Sequence, residues 1–329
     1  METSHPSSVP VLFLIFNRPV NALKVFNEIR KSKPAKLFVA ADGPRSHVAT
    51  DESNCAATRA LIKKIDWECE VKTLFRTENL GCKMAVKTGI DWFFTHVEHG
   101  IILEDDCIPV QSFFPFCKKM LQLYAKDPSV GIVSGTNYLL GKYQHKDAYF
   151  LSHLFPMWGW ATWKSTWDLF SFNIEESAEE IREIVFRKIT SRQEANNIAE
   201  MIILTKENKI NAWSPFLLFQ LIKKNLYSVT PTKNLISNIG IEGTHPTKNI
   251  SLFINLKRSE LDLKKLSLCS AQQALVLDNL SYKNIVMVNK LDNKPKSALK
   301  LLMERIRDSF FYRSKKLFKL LRRSQSHSR

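Results

Sequence analysis

A chain of 329 residues with 44% hydrophobic and 11% aromatic residues can bury a sizeable core, which excludes an intrinsically disordered protein. Lys and Arg outnumber Asp and Glu by 48 to 32, a net charge of +16, but residues 294–329 hold twelve basic and two acidic side chains, so this tail carries +10 and the first 293 residues only +6. The six cysteines (55, 69, 82, 107, 117 and 269) show no CxxC pair or other zinc-like spacing, which argues against a disulfide framework and predicts reduced thiols in a cytosolic protein.

Residues 1–8 lack the basic start and apolar stretch of a signal peptide. The apolar runs are strand-sized, far below the roughly 18 residues of a membrane span. A cytoplasmic protein, soluble or peripheral to the membrane, is expected.

In chain order, Val11 to Phe16 is a continuous apolar run, as for a strand buried on both faces, and Asn17-Arg18-Pro19 breaks it. Ala22, Leu23, Phe26 and Ile29 then recur at helical spacing. Lys36 to Ala41 predicts a second strand, stopped by Asp42-Gly43-Pro44. Residues 51–65 read as a helix, Glu70 to Phe75 as a third strand, and 82–95 as a helix after Asn79-Leu80-Gly81. Gly100 to Leu103 is a fourth strand running into Glu104-Asp105-Asp106. Ser112 is placed to cap a helix carrying Phe113, Phe116, Cys117, Met120 and Tyr124 on one face. Val130 to Gly135 reads as a strand, 142–153 as irregular or hairpin structure, and 175–189, 192–207 and 215–224 as helices. Beyond about residue 250 the pattern weakens. The expected division is 9–250 as the main domain, 251–293 as an extension and 294–329 as a basic amphipathic tail.

Strand–helix alternation at this rhythm predicts an α/β fold with a mainly parallel sheet flanked by helices. Right-handed crossovers bring the four strand ends to one rim, where open α/β sheets bind ligands. Arg18, Asp42, Asn79 and the acidic triplet then share that rim. The triplet admits two readings: a Mg²⁺ or Mn²⁺ site, because close carboxylates call for a cation and offer hard oxygen ligands, or a solvated acidic turn. Asp42 is either a turn residue or a ligand contact, and Arg18 either a surface ion-pair partner or a phosphate contact.

Trp158-Gly159-Trp160 and the following Trp163 and Trp167 offer indole faces for sugar stacking or for the core. Helical spacing of Trp160, Trp163 and Trp167 assigns Trp163 and Trp167 to packing and leaves Trp158 to Trp160 facing a ligand. His96 and His99 read as a solvated helix end, lacking a third zinc ligand in sequence. His245 in Glu242-Gly243-Thr244-His245 is either a plain surface histidine or a metal or phosphate contact. No GxGxxG follows the first strand and no GxxxxGK[ST] occurs, which argues against a dinucleotide-dependent dehydrogenase and against a P-loop NTPase. The tail intersperses Leu299, Leu302, Ile306, Phe310, Leu317 and Phe318 with basic residues. It predicts an amphipathic segment on an anionic membrane in preference to a nucleic-acid arm, with a solvated tail or a helix docked on the domain as the plainer alternatives.

The ordered set Phe16-Asn17-Arg18-Pro19, Ala41-Asp42-Gly43-Pro44, Asn79-Leu80-Gly81-Cys82, Leu103-Glu104-Asp105-Asp106 and Trp158-Gly159-Trp160 resembles bacterial nucleotide-diphospho-sugar transferases of the GT-A fold. These are similar to N-acetylglucosaminyltransferase I and form a hemolysin-like glycosyltransferase group. The resemblance covers roughly residues 9 to 248. It implies that Asn17, Arg18, Asp42, Asn79, Gly81, Lys83, Glu104 and Asp105 contact the nucleotide-sugar, with Arg18 on the diphosphate or uridine and Asp42 in the nucleoside pocket. It implies Asp106 as the direct ligand of Mn²⁺ or Mg²⁺, and Trp158, Gly159 and Trp160 on the acceptor side. The aspartate that the family places after the tryptophan matching Trp213 is here Ser214. Asp168, Glu242 and His245 are the candidate substitutes for that base. The expectation is a metal-dependent, inverting glycosyltransferase, with a UDP-sugar as donor, a glycan or lipid-linked acceptor and no nucleic-acid partner. The alternative is a catalytically impaired binding or scaffold subunit.

Overall fold

The computed structural model describes residues 9–141, 143, 145–240 and 253–292, with backbone alone at 286 and 288–292. Glu242, His245 and the basic tail 294–329 lie outside the described residues. In chain order the elements are β1 (Val11–Ile15), α1 (Pro19–Ser32), β2 (Lys36–Ala41), α2 (Asp51–Arg59), β3 (Glu70–Phe75), α3 (Gly81–Phe94), β4 (His99–Glu104), β5 (Cys107–Pro109), α4 (Phe113–Leu123), β6 (Val130–Ser134), β7 (Tyr149–Ser152), β8 (Trp160–Trp163), α5 (Lys164–Trp167), α6 (Ala178–Phe186), α7 (Arg192–Lys206), α8 (Ser214–Lys223), β9 (Tyr227–Pro231), β10 (Ile236–Asn238) and α9 (Ala271–Asp292).

Eight strands form one sheet in the order β3-β2-β1-β4-β8-β6-β9-β7. β1 pairs in parallel with β2 and β4, β2 with β3, and β6 with β9; β8 runs antiparallel to β4 and β6, and β7 antiparallel to β9. The mainly parallel, helix-flanked α/β sheet expected from the alternation is therefore present.

The apolar run of β1 explains its central place. Val11, Phe13 and Ile15 enter a core with Val25, Phe26 and Ile29 of α1 and Phe113, Phe116 and Met120 of α4. Leu12 and Leu14 point the other way, into a core with Val86, Ile90 and Phe93 of α3 and the apolar faces of α6, α7 and α8. Period-two alternation on a strand covered on both faces leaves no room for a polar side chain until the strand ends.

Several sequence readings need correction. The helix over 51–65 is α2 followed by a 3-10 turn, Ala60–Lys64. Ser112 does not cap α4 with its own side chain; its amide donates to Glu260 at 2.8 Å and its hydroxyl accepts from Leu261 N at 2.9 Å. Trp160 to Trp163 is a strand, so the spacing of three that suggested a helix puts Trp160 and Trp163 on opposite faces of the sheet. The ligand-facing role for Trp160 is overturned, because its ring is 1% exposed and stacks on Trp213 at 6.1 Å. Trp163, assigned to packing, is half-buried against the core, and Trp167 is buried.

The weakly patterned segment after 253 includes α9, whose Asp278 accepts from the Ser152 hydroxyl and His153 N, fastening the helix to edge strand β7. Among the described residues no helix is long and apolar enough to cross a membrane.

Gly159 turns the chain into β8 at φ +61°, and a Cβ there would meet Ile236 Cδ1 at 2.5 Å. Gly159→Ala combines left-handed backbone cost with overpacking and is expected to lower stability by about 2–4 kcal/mol. Urea denaturation should show a lower midpoint at unchanged slope; an unchanged midpoint would mean that Ile236 and the turn adjust freely.

Candidate functional site

Because β1, β2, β3 and β4 are parallel, their C-terminal ends share one rim. A cavity of about 460 Å³ opens there, lined by residues that include Asn17, Arg18, Asp42, Arg45, Arg76, Asn79, Gly81, Glu104, Asp105 and Asn211. The volume lies within the range of small-molecule sites.

At the end of β1, Pro19 starts α1 and leaves Arg18 at the helix N-cap position. The Arg18 guanidinium pairs with Asp105 and, at 3.0 Å, with Asp106 Oδ2, while Phe16 N donates to Asp105 Oδ2 at 3.1 Å. Arg18 therefore relieves part of the repulsion within the triplet. What remains is felt at Glu104 and Asp105. Burial first, and then its two acidic neighbours, pushes Glu104 up to about 8. Burial pushes Asp105 up to about 6 against the pull of Arg18.

Asp42 follows β2 and is buried. Its carboxylate accepts from Gly43 N at 3.0 Å, Asn79 Nδ2 at 3.0 Å, Leu80 N at 2.9 Å and Gly81 N at 3.1 Å. Four donors fill a carboxylate's acceptor capacity. Asp42 thus shapes the wall and caps the start of α3 rather than offering a free oxygen to a ligand. The positive end of α3 still faces the cavity through Gly81 and Cys82.

Three residues of the wall, Arg45, Arg76 and Asn211, escaped the sequence reading. Buried Asp51 holds Arg45 through two hydrogen bonds at 2.6 and 2.9 Å and accepts from Asn17 Nδ2 at 2.6 Å. The hydrogen bonds from Arg45 chiefly hold the Asp51 carboxyl down at about 2 despite burial. Arg76 follows the last residue of β3 and donates to Thr88 Oγ1 at 2.6 Å. Among the described residues no carboxylate pairs with it, so its charge is available to an anion in the cavity. The strand-end logic that singled out Arg18 and Asp42 applies equally to Arg76. Asn211 arrives from before α8, which no local signal announces.

Asp106 lies just beyond the cavity, in the turn between β4 and β5. The pairing of β5 with β10 sets its surroundings: Ile239 N donates to the Asp106 carbonyl at 2.8 Å and Asn238 Nδ2 approaches Asp106 Oδ1 at 3.4 Å. Gly240 stands against the same carboxylate, and a Cβ on it would run into Oδ2. Gly240 thus lets the Asp106 carboxylate close against the backbone, and the hard oxygens of Asp105 and Asp106, now held by Arg18, Phe16 N and Asn238, are of the type that Mg²⁺ or Mn²⁺ takes.

Other predicted site residues lie elsewhere. Lys83 sits with its ammonium 4.8 Å from the Phe172 ring centre and 4.7 Å from that of Phe216, which directs it away from the cavity. Asp168 is on the opposite rim: β8 is antiparallel to β4, Lys164 N donates to Glu98 O at 2.8 Å, and Asp168 pairs with Lys164 at 2.7 Å. The length of β4, about 20 Å, separates it from the triplet, which removes it as a base. Trp158 and Gly159 do reach the correct rim, because the pairing of Ile102 with Trp160 brings them level with the end of β4. Their neighbour Trp160 is the buried wedge behind them.

No family model matches the chain. No curated protein matches it either. Among solved structures, UDP-glucose pyrophosphorylase complexed with UDP-glucose aligns at a TM-score of 0.27 and 11% identity, over 49% of this chain and 78% of that one. An apo UDP-glucose pyrophosphorylase aligns at a TM-score of 0.30 and 9% identity, over 68% of this chain and 90% of that one. Likeness at this level leaves the chemistry to be read from the site.

Two outcomes follow from the wall. Asp42→Ala strands four donors and should cost about 1–3 kcal/mol in chemical denaturation, with wild-type stability contradicting its structural role. Between its ordinary value near 4.5 and about 8, Glu104 holds more proton in the folded chain than in the unfolded one, so its contribution to stability falls as pH rises. In metal-free buffer Glu104→Gln should flatten the fall in melting temperature between pH 6 and 8. An unchanged slope would show that Glu104 ionises there without strain.

Proposed function

We propose that the chain binds a nucleotide-sugar in the rim cavity and transfers its sugar to a glycan or lipid-linked acceptor. The observation that carries the reading is the meeting of Arg76, Arg45, Asn79 and the start of α3 with Glu104 and Asp105 around one cavity, with Asp106 just beyond it on Arg18. A cationic wall beside an acidic floor suits a ligand with an anionic diphosphate and a polyhydroxylated end.

In this reading Arg76 and the α3 terminus bind the diphosphate, and Asn79, held against Asp42 and the Gly43 carbonyl at 2.8 Å, fixes the wall beside the nucleoside. Arg18 keeps Asp105 and Asp106 together on one side of the cavity. Asp106 with Asp105 would hold Mn²⁺ or Mg²⁺, which when bound neutralises charge on the departing nucleoside diphosphate. Trp158 and Gly159, at the end of β4, border the acceptor side. The basic tail adds a contact with an anionic membrane surface, which would place a cytoplasmic enzyme beside a lipid-linked acceptor.

A second reading, binding without transfer, has its own support. Ser214 opens α8 where a carboxylate is expected, and Asp168 is on the far rim. Among the described residues the cavity's acids are Asp42, whose acceptors are filled, and Glu104 and Asp105.

Calorimetry with UDP-sugars in Mn²⁺ tests both readings. Arg76→Ala should raise Kd about tenfold to a hundredfold, the loss of a charge-assisted contact. Asp106→Ala should abolish Mn²⁺-dependent transfer or donor hydrolysis while leaving the fold intact. Tight binding with no turnover on any acceptor selects the second reading, and no binding in any condition overturns both.

A further inference from the structure

A separate group of ligand atoms lies at the outer edge of the sheet, away from the rim cavity. His145 and Asp147 precede β7 and Cys269 precedes α9, with His145 and Cys269 124 positions apart in the chain. The Cys269 sulfur is 3.5 Å from His145 Nδ1, and Asp147 Oδ2 is 3.4 Å from the same nitrogen. The three ligand atoms all lie within 4.8 Å of one another. The His145 and Asp147 side chains are 9% and 14% exposed, and Cys269 is buried.

Backbone pairing holds the group together. Cys269 N donates to Tyr149 O at 2.9 Å, and Ala148 N donates to Ser267 O at 2.9 Å. Leu139, Phe150, Ala274 and Leu277 pack with Cys269 as a small apolar cluster, and the Tyr143 ring stacks on His145 at 5.9 Å.

Asp147 N donates to His145 Nδ1 at 3.1 Å, so Nδ1 carries a lone pair and the ring proton sits on Nε2. The nearby carboxylate oxygen is another acceptor. The one in-plane lone pair of Nδ1 takes the Asp147 amide hydrogen, and it is the pair that a cation would use. A cation between the three atoms would displace that hydrogen bond and draw in the thiolate and the carboxylate. Zinc bond lengths of about 2.0–2.3 Å to N, O and S set tetrahedral neighbours about 3.3–3.6 Å apart. The two separations at Nδ1 have that spacing.

We propose that His145 Nδ1, Cys269 Sγ and the Asp147 carboxylate bind a zinc-type divalent cation that staples the segment leading into α9 onto edge strand β7. The mixed nitrogen, sulfur and oxygen set selects zinc over the hard ions suited to Asp106. Binding forms a metal–sulfur bond and releases the thiol proton to solvent; no redox change occurs. The fourth position is open to water. Zinc therefore secures the C-terminal segment and takes no part in the rim chemistry.

The test uses the full chain, stripped with a chelator and titrated with Co²⁺. One equivalent should produce a sulfur-to-cobalt charge-transfer band, which a site made of oxygens alone cannot give. Zn²⁺ should abolish the band and raise the melting temperature of the stripped protein. Cys269→Ser should remove the band, Asp106→Ala should keep it, and His145→Gln and Asp147→Asn should each weaken metal binding at least about tenfold. Circular dichroism checks that each variant folds. No band in the wild-type chain, or a band that survives Cys269→Ser, overturns the proposal.

Discussion

Three consecutive carboxylates at the end of a buried strand set the terms for the rest of the site. β4 lies between β1 and β8, so Glu104, Asp105 and Asp106 leave the sheet with little water around them. Their mutual repulsion requires positive charge or hydrogen-bond donors close by. Arg18 and Phe16 N supply these from β1, and Asn238 supplies a further donor from β10. The parallel pairing of β1 with β4 is what brings Arg18 to the same level as the triplet.

The opposite wall is built by a different logic. Asp42 and Asp51 are both buried, and both give their oxygens to protein donors: Asp42 to the loop that starts α3, Asp51 to Arg45 and Asn17. They convert loops into a fixed surface. With Arg45 held by Asp51 and Arg18 by the triplet, Arg76 is the arginine of this wall with charge to spare. The cavity thus separates residues that hold the structure from residues free to meet a ligand, a distinction invisible in a list of polar residues.

Much of this arrangement was legible in the sequence because apolar runs broke at polar residues. Ile15 gives way to Arg18, Ala41 to Asp42 and Leu103 to Glu104, and the strand ends fell where the runs stopped. The tryptophan segment misled because spacing of three at Trp160 and Trp163 suits a helix, whereas the register with Ile102 and His99 makes it a strand. Asp168 looked like a spare carboxylate until the antiparallel direction of β8 carried it to the other rim. Asn211, Asn238 and the pairing of His145 with Cys269 depend on contacts between distant segments, and no local pattern encodes them.

Hydrogen–deuterium exchange with and without a UDP-sugar and Mn²⁺ most directly tests whether the rim cavity is the donor site. The account predicts protection over Arg76 to Val86 and over Glu104 to Cys107, with no change at Trp163 to Asp168 on the far rim. Ligand-induced protection confined to the far rim or to edge strand β7, or none at either wall of the cavity, would contradict it.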